Sequence, residues 1–231
     1  IILGSSGKMY EIAFDPLDGS SNLSVNIPTG SIFGIGIHEG SNETPFSRSG
    51  RSLKAAGYAL YSSSTEFVLS FGEETVGFTL DRERSCFIKS RNSISCPERG
   101  TFYSLNDGRE PDWPKGLQRW IYDAKRGLTP SGTIYSSRYV CSLVADFHRT
   151  LLVGGWAGNP RPHLRLLYEA APLAFLAEAA GGYGSDGEQN ILDIVPSGLH
   201  GRVCVFLGSR KDIEDMEGYG DIQQCSKKYE F

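Results

Sequence analysis

The sequence has no long hydrophobic run: nowhere do its apolar residues approach the ~18 in a row that a membrane-spanning helix needs. It has no surplus of positive charge either. Its 23 Lys and Arg against 27 Asp and Glu leave a formal charge of -4 with the cations scattered, which argues against a nucleic-acid footprint. A small anionic ligand stays open, because a few placed arginines suffice for one. Cysteine is sparse and unpatterned. Cys86, Cys96, Cys141, Cys204 and Cys225 are odd in number and show no CxxC spacing, so neither a zinc site nor a disulfide framework is indicated, and a reducing compartment is the plainer reading. There is no low-complexity block and no internal repeat. The start, Ile1-Ile2-Leu3-Gly4, lacks an initiator Met, a basic n-region and a cleavage pattern, so it reads as the interior of a longer protein rather than as a signal peptide.

What is present is ordinary for a globular chain: 231 residues, 39% hydrophobic and 22% charged, enough for one large domain or two small ones sharing an interface. The texture changes near the middle. From Ile32 to about Lys89, short apolar or alternating runs (Ile32 to Ile37, Ala56 to Ser62, Glu66 to Phe71, Gly77 to Asp81, Ser85 to Ser90) predict an antiparallel meander. Between Arg91 and Lys115 the chain turns polar and holds Pro97, Pro111 and Pro114, which suits a domain junction. Beyond it, Cys141 to Leu152 spaces Leu143, Phe147 and Leu151 for a helix. Glu169 to Ala180 does the same, with Pro172 in its first turn and Gly181-Gly182 at its end. Val203 to Gly208 reads as a buried strand, and Ser209 with Asp212 as a capping box for a last helix from Arg210 to about Glu217. The second half is therefore alternating α/β.

The chemically richest stretch is Glu11 to Asn22, EIAFDPLDGSSN. Proline restricts its own φ and the residue before it, so the chain is expected to leave an apolar strand in a defined turn that lets Asp15, Asp18 and the carbonyls between them converge. Clustered hard oxygens suit Mg2+ or Mn2+, and the backbone of Gly19-Ser20-Ser21-Asn22 could cradle a phosphate at a helix start. Asp-Pro and Asp-Gly are also frequent turn formers, and spacing alone does not separate the two readings.

The string FDPLDGSSN resembles the signature of the fructose-1,6-bisphosphatase family, within the wider group of metal-dependent sugar phosphatases. Further stretches resemble that family in the same order: GSIFGI from Gly30, AAGYALY from Ala55, YSLNDG from Tyr103, SRYVCSLVADFHRTLLVGG from Ser137, LRLLYEAAP from Leu164, and LDIVP from Leu192. The resemblance implies a divalent metal, Mg2+ with Mn2+ as the alternative, held by Asp15, the Leu17 carbonyl, Asp18 and Glu169, the three carboxylates being the catalytic set. It implies that Gly19, Ser20, Ser21 and Asn22 hold the phosphate to be cleaved. Asn106, Arg138 and Tyr139 would hold a distal phosphate, and Ser142, Leu143 and Arg165 would lie near the sugar. Arg138 is expected to reach a neighbouring subunit's site in a homodimer or homotetramer. The implied reaction is hydrolysis of the 1-phosphate of fructose 1,6-bisphosphate, with sedoheptulose 1,7-bisphosphate as the alternative substrate. A catalytically inactive sugar-phosphate binder is the rival from another class. No nucleic-acid or membrane partner is expected. The implied compartment is the cytoplasm, or a plastid if a targeting segment lies upstream.

The implied fold is α/β (α+β), a layered α/β/α/β/α sandwich, here without its N-terminal helices and strands. Residues 1–95 would be the remainder of a regulatory-type domain carrying the metal signature, and 96–231 the substrate-binding α/β domain. Three departures from the family stand out. Members carry roughly a hundred further residues upstream of the signature, with more metal-binding carboxylates; this sequence has none of them, and the missing part should leave apolar surface on the sheet from Ile32 to Lys89 uncovered. The segment before LRLLYE is a shortened loop, Trp156 to Pro162, with His163 where a lysine is expected and Arg109 as a replacement cation near the distal phosphate. Met9 and Ile37 stand where AMP-inhibited members have Lys and Arg, so AMP inhibition is not expected.

Overall fold

In the computed structural model, residues 10–38 and 46–224 are described; Met9 and Cys225, both singled out above, lie outside them. The first half is a six-stranded antiparallel meander in sequence order: β1 (Tyr10–Asp18), β2 (Thr29–Ile37), β3 (Leu53–Tyr61), β4 (Thr65–Ser70), β5 (Thr75–Asp81) and β6 (Cys86–Ile94). Each run of apolar alternation in this region became a strand. The second half forms a five-stranded mixed sheet from β7 (Phe102–Ser104), β8 (Ser136–Ser137), β9 (Trp156–Arg165), β10 (Tyr183–Ser185) and β11 (Arg202–Gly208), in the order β10-β11-β9-β7-β8. Its helices are α1 (Lys115–Ala124), α2 (Leu143–Val153), α3 (Ala171–Ala179) and α4 (Arg210–Glu217).

Strand β11 shows how the layers are built. Successive side chains on a strand point to opposite faces. Val205 and Leu207 join one core with Ile32, Tyr58 and Val68 of the first sheet and with Phe147, Leu151, Leu173 and Leu176 of α2 and α3. Cys204 and Phe206 join the other core, with Trp120, Ile121 and Leu117 of α1 and Ile213 and Met216 of α4. The order of layers is thus first sheet, α2 with α3, second sheet, α1 with α4, an α/β sandwich as the sequence implied. The outer face of the first sheet carries exposed Tyr10, Ile12 and Phe14 on β1, with Phe71 and Phe87 exposed at its far strands.

Four local expectations are corrected. The chain does not leave β1 at Pro16: the strand runs on to Asp18, with a bulge between Asp15 and Asp18, because Pro16 needs no ladder N–H there and its carbonyl accepts from Ser31 Oγ at 2.7 Å. The segment before LRLLYE is not a loop. Trp156 to Asn159 pair with Gly208 to Val205, and only residues 160–163 leave the ladder. The helix expected from Glu169 begins as a wide π turn, Leu166–Ala170, in which Ala171 N–H reaches the Leu166 carbonyl, and Pro172, which has no N–H to offer, enters only as α3 starts. The capping box is absent. Ser209 Oγ donates instead to the Pro97 carbonyl at 2.6 Å, and Asp212 is buried beneath α4, accepting from Gly100 N–H at 2.7 Å and Tyr135 Oη at 2.7 Å.

Helix α1 and strand β9 were not anticipated as elements. Leu117, Trp120, Ile121 and Ala124 are spaced for a buried helical stripe, and all four are buried. Strand β9 was masked by Pro160 and Pro162, which lie in its non-paired excursion.

Candidate metal and anion site

The carboxylates of Asp15, Asp18 and Glu169 converge, each offering an oxygen within 4.8 Å of the others. Two come from the edge strand of the first sheet and one from the π turn of the second half. The bulge places both aspartates. Asp15 pairs opposite Ile32 and Asp18 opposite Gly30, so two residues, Pro16 and Leu17, stand against one, and the local twist brings both carboxylates to the same end. Asp15 Oδ1 accepts from its own Leu17 N–H at 2.9 Å, which fixes its rotamer.

Asp18 is buried against the start of α2, where Oδ2 accepts the Val144 N–H at 3.0 Å. It therefore caps a helix from outside, while Ser142, at the N-cap position, makes no side-chain cap. Gly30 permits this approach: a Cβ there would sit 2.3 Å from the Ala59 carbonyl oxygen and 2.8 Å from Val144 Cγ1. Glu169 is also buried, and one of its oxygens accepts the Arg165 N–H across the π turn.

Burial dominates the electrostatics. It pushes Asp18 up to about 6, against the lowering effect of the Val144 N–H and with the charge of Asp15 adding to the rise. Burial likewise pushes Glu169 up to about 7, with the Arg165 N–H opposing and Asp18 and Asp15 adding. Three carboxylates gathered at one point, two of them buried, concentrate negative charge that, among the described residues, only the nearby Arg165 offsets. An all-oxygen donor set of this kind fits a hard divalent cation.

Beside the trio, Gly19 turns the chain with φ +76° into a short 3-10 turn, Ser20–Val25, that leaves Ser20 and Ser21 exposed. Asn22 is buried, and its amide donates to the Cys141 carbonyl at 2.7 Å, so it ties this turn to the loop before α2. The buried Ser142 Oγ lies next to Gly19 and has no hydrogen-bond partner. Leu143 begins α2 and packs on the main core.

The residues implied for a distal phosphate lie on the loop 138–141 and around β7 and β9. Arg138 is exposed over the Phe102 ring, and its backbone N–H donates to the Tyr103 carbonyl at 2.9 Å. Tyr139 is exposed, with its hydroxyl 3.3 Å from Cys141 Sγ. A residue that the motifs did not single out holds this loop: buried Asp146 accepts the Val140 N–H at 3.1 Å and pairs with Arg149 at 3.1 Å. Asn106 is exposed at the end of β7. Arg109 pairs with Asp112 at 2.9 Å, while Lys125 lies 3.5 Å from both Asp107 and Glu110. His163 sits exposed on the β9 excursion, and Arg165 at the end of β9 is half-buried.

Known proteins are similar to this chain in sequence and in fold. Residues 1–92 match the description "Fructose-1-6-bisphosphatase, N-terminal domain" and residues 96–221 match "Fructose-1-6-bisphosphatase, C-terminal domain". The chain is 48% identical over 220 residues to the class 1 fructose-1,6-bisphosphatase of Sorangium cellulosum, covering 91% of this chain and 63% of that protein. It is 43% identical over 233 residues to the chloroplastic fructose-1,6-bisphosphatase of Brassica napus, covering 91% of this chain and 56% of the other. The crystal structure of Leishmania major fructose-1,6-bisphosphatase in holo form superposes with a TM-score of 0.89 at 37% identity, over 95% of this chain and 72% of that one. The chain thus spans roughly three-fifths of the length of these curated relatives.

Proposed function

Since the chain belongs to the fructose-1,6-bisphosphatase family, we propose that the protein hydrolyses the 1-phosphate of fructose 1,6-bisphosphate to give fructose 6-phosphate and phosphate. The convergence of Asp15, Asp18 and Glu169 within 4.8 Å carries the reading. The relatives named are fructose bisphosphatases, so the sedoheptulose alternative is not favoured.

Asp15, Asp18, Glu169 and the Leu17 carbonyl would hold Mg2+, or Mn2+ in its place. The ion would supply positive charge for the phosphoryl oxygens and a water of lowered pKa. The chain's own residues do the rest. The trio is deprotonated when it takes the ion. The exposed Gly19-Ser20-Ser21 turn offers backbone N–H groups to the cleaved phosphate, and Ser142 Oγ, buried beside Gly19 without a partner, is placed to bond the ester or the sugar. Asn106, Arg138 and Tyr139 would take the far phosphate, with Arg138, exposed as it is, available to a neighbouring copy in a homodimer or homotetramer. Arg109 contributes less than its charge suggests, because Asp112 already holds it.

On this reading residues 1–95 bring two of the metal carboxylates and 96–231 the third together with the sugar contacts. No helix among the described residues is long and apolar enough to cross a membrane. The cytoplasm is our assignment, and the chloroplastic relatives support a plastid as the other compartment.

Phosphate release from fructose 1,6-bisphosphate by the full-length protein with Mg2+ tests the activity. Release that vanishes in Asp18→Ala, with the fold intact by circular dichroism, is the expected result. No release from the unaltered protein in either Mg2+ or Mn2+ overturns it.

A further inference from the structure

The first turn of helix α2 makes hydrogen bonds to two other segments. Val144, its second residue, gives its N–H to Asp18 at 3.0 Å. Asp146, two residues on, takes the Val140 N–H at 3.1 Å from one carboxylate oxygen and 3.2 Å from the other. One helical turn therefore holds an acid of the trio on one side and the loop 138–141 on the other. The charge of Asp146 reaches both, since it acts on Asp18 and on the Tyr139 hydroxyl.

The loop needs such a hold. Cys141 has φ +67°, a left-handed conformation that residues other than glycine seldom adopt and that persists only where neighbours impose it. Three contacts hold the loop: the Arg138 N–H on the Tyr103 carbonyl, the Val140 N–H on Asp146, and the Cys141 carbonyl on the Asn22 amide. Only the middle one has a carboxylate acceptor, and a charged acceptor makes the stronger bond. Asp146 is 3% exposed, and burying an acid is costly unless its partners make good the lost water. Its other partner, Arg149 at 3.1 Å, lies three residues along the same helix, a pairing that a surface position would serve as well. The reach to Val140 is what calls for an acid at this buried place.

We propose that Asp146 is a positioning residue for the reaction: through the Val140 N–H it sets the distance of Arg138 and Tyr139 from Asp18. The separation between the acids that would hold the ion and the loop that would hold the far end of the substrate is then fixed by one turn of α2. This rests on the reading that the substrate is a sugar bisphosphate held at both ends, and Asp146 itself touches neither end. A displacement of about 1 Å in a group that orients a substrate can cost on the order of a hundredfold in rate, so a distant acid has leverage.

Two variants of the full-length protein separate this role from a merely structural one. Asp146→Asn keeps the side-chain volume, but because both carboxylate oxygens face Val140, its amide sets an N–H against the Val140 N–H whichever way it turns. Arg149→Gln breaks the same ion pair and leaves the acceptor in place. Assays run well above neutral pH keep Asp146 ionised without its arginine. With Mg2+, Asp146→Asn should lower kcat/KM for fructose 1,6-bisphosphate by about tenfold or more, and Arg149→Gln by no more than about twofold. Calorimetry with fructose 6-phosphate should show the same split. Mn2+ affinity should change little in either, because Asp18 keeps its bond to Val144, and the two melting temperatures should lie close together. Equal losses in the two variants, or full turnover and full fructose 6-phosphate binding in Asp146→Asn, overturn the proposal. If the unaltered protein releases no phosphate but binds fructose 6-phosphate in a manner that Asp146→Asn weakens and Arg149→Gln does not, the hydrolytic reading fails and the positioning role stands. If it neither hydrolyses nor binds, both fall.

Discussion

At the scale of single residues, the trio of acids behaves as a charge held in readiness. Asp18 and Glu169 have native pKa values pushed up to about 6 and about 7. A carboxylate whose folded pKa is raised binds more protons folded than unfolded, so its contribution to stability is present at low pH and is lost as pH rises through the folded value. The metal-free protein is therefore expected to lose stability between about pH 4 and pH 7, a window set by ordinary carboxylate values and these raised ones. Thermal melts in chelator across that range check the sign. A divalent ion should reverse the slope, because it binds only the deprotonated trio. Glu169→Gln removes one of the mutually repelling charges. It should raise the metal-free melting temperature by a few degrees, on the order of 1 kcal/mol for a chain of this size, while abolishing the rise that Mg2+ causes.

These roles were legible in unequal measure. The string FDPLDGSSN and the glutamate of LRLLYE located all three acids through the family resemblance, whereas their spacing alone left an ordinary turn equally open. Asn22 was read as offering its backbone N–H to a phosphate; in the structure that N–H donates to the Gly19 carbonyl at 2.8 Å, and its side-chain amide reaches the Cys141 carbonyl. A side chain's partner across the fold is not written in its local spacing. Arg109 illustrates the same limit, as its neutralising Asp112 lies in plain view three residues away but could equally have pointed elsewhere.

At the scale of elements, the approach of α2 to β2 decides whether Asp18 can be both a helix cap and a metal ligand. Gly30→Ala would thrust a methyl group to 2.3 Å from the Ala59 carbonyl and against Val144. A cost of about 1–3 kcal/mol is expected from such overpacking, with a weaker affinity for divalent ions as α2 is displaced. Denaturant unfolding and Mn2+ titration measure the two effects separately. Helix α1 makes a cleaner packing test. Trp120 is buried between Tyr103, Tyr135 and Trp156, at ring-centroid distances of 6.3, 5.3 and 5.3 Å. Trp120→Ala should cost about 3–5 kcal/mol and leave metal affinity in the folded fraction unchanged. The meander was readable because each strand buries one face and alternates. β9 was not, because two prolines inside it look like a loop until the ladder shows them outside the pairing.

At the scale of the whole molecule, the layers explain both what is covered and what is bare. The inner face of the first sheet closes on α2 and α3, yet Tyr10, Ile12 and Phe14 stand on its outer face at β1, an edge strand among the described residues. Contiguous apolar residues on an open edge promote association. Ile12→Lys should therefore lower the light scattering of this 231-residue chain in concentrated solution without changing its affinity for Mn2+. Scattering that is unaffected would mean that the face is not the sticky one. The sandwich itself followed from family resemblance and was borne out. Its layer order needed the structure, because which side of β11 meets which helices depends on register.

The site also ties together distant parts of the chain. Asp15 and Glu169 are separated by about 150 residues, yet they contribute to one cluster. An ion bridging them would act as a removable cross-link. Because it would bind only the folded cluster, such an ion stabilises by mass action, by about 2.7 kcal/mol at a hundredfold excess over its dissociation constant. Unlike a disulfide it answers to chelator rather than to reductant. The sheet edge carrying Asp15 and the π turn carrying Glu169 would then be held together more firmly as free divalent cation rises, so that the stability of the fold tracks the supply of the ion.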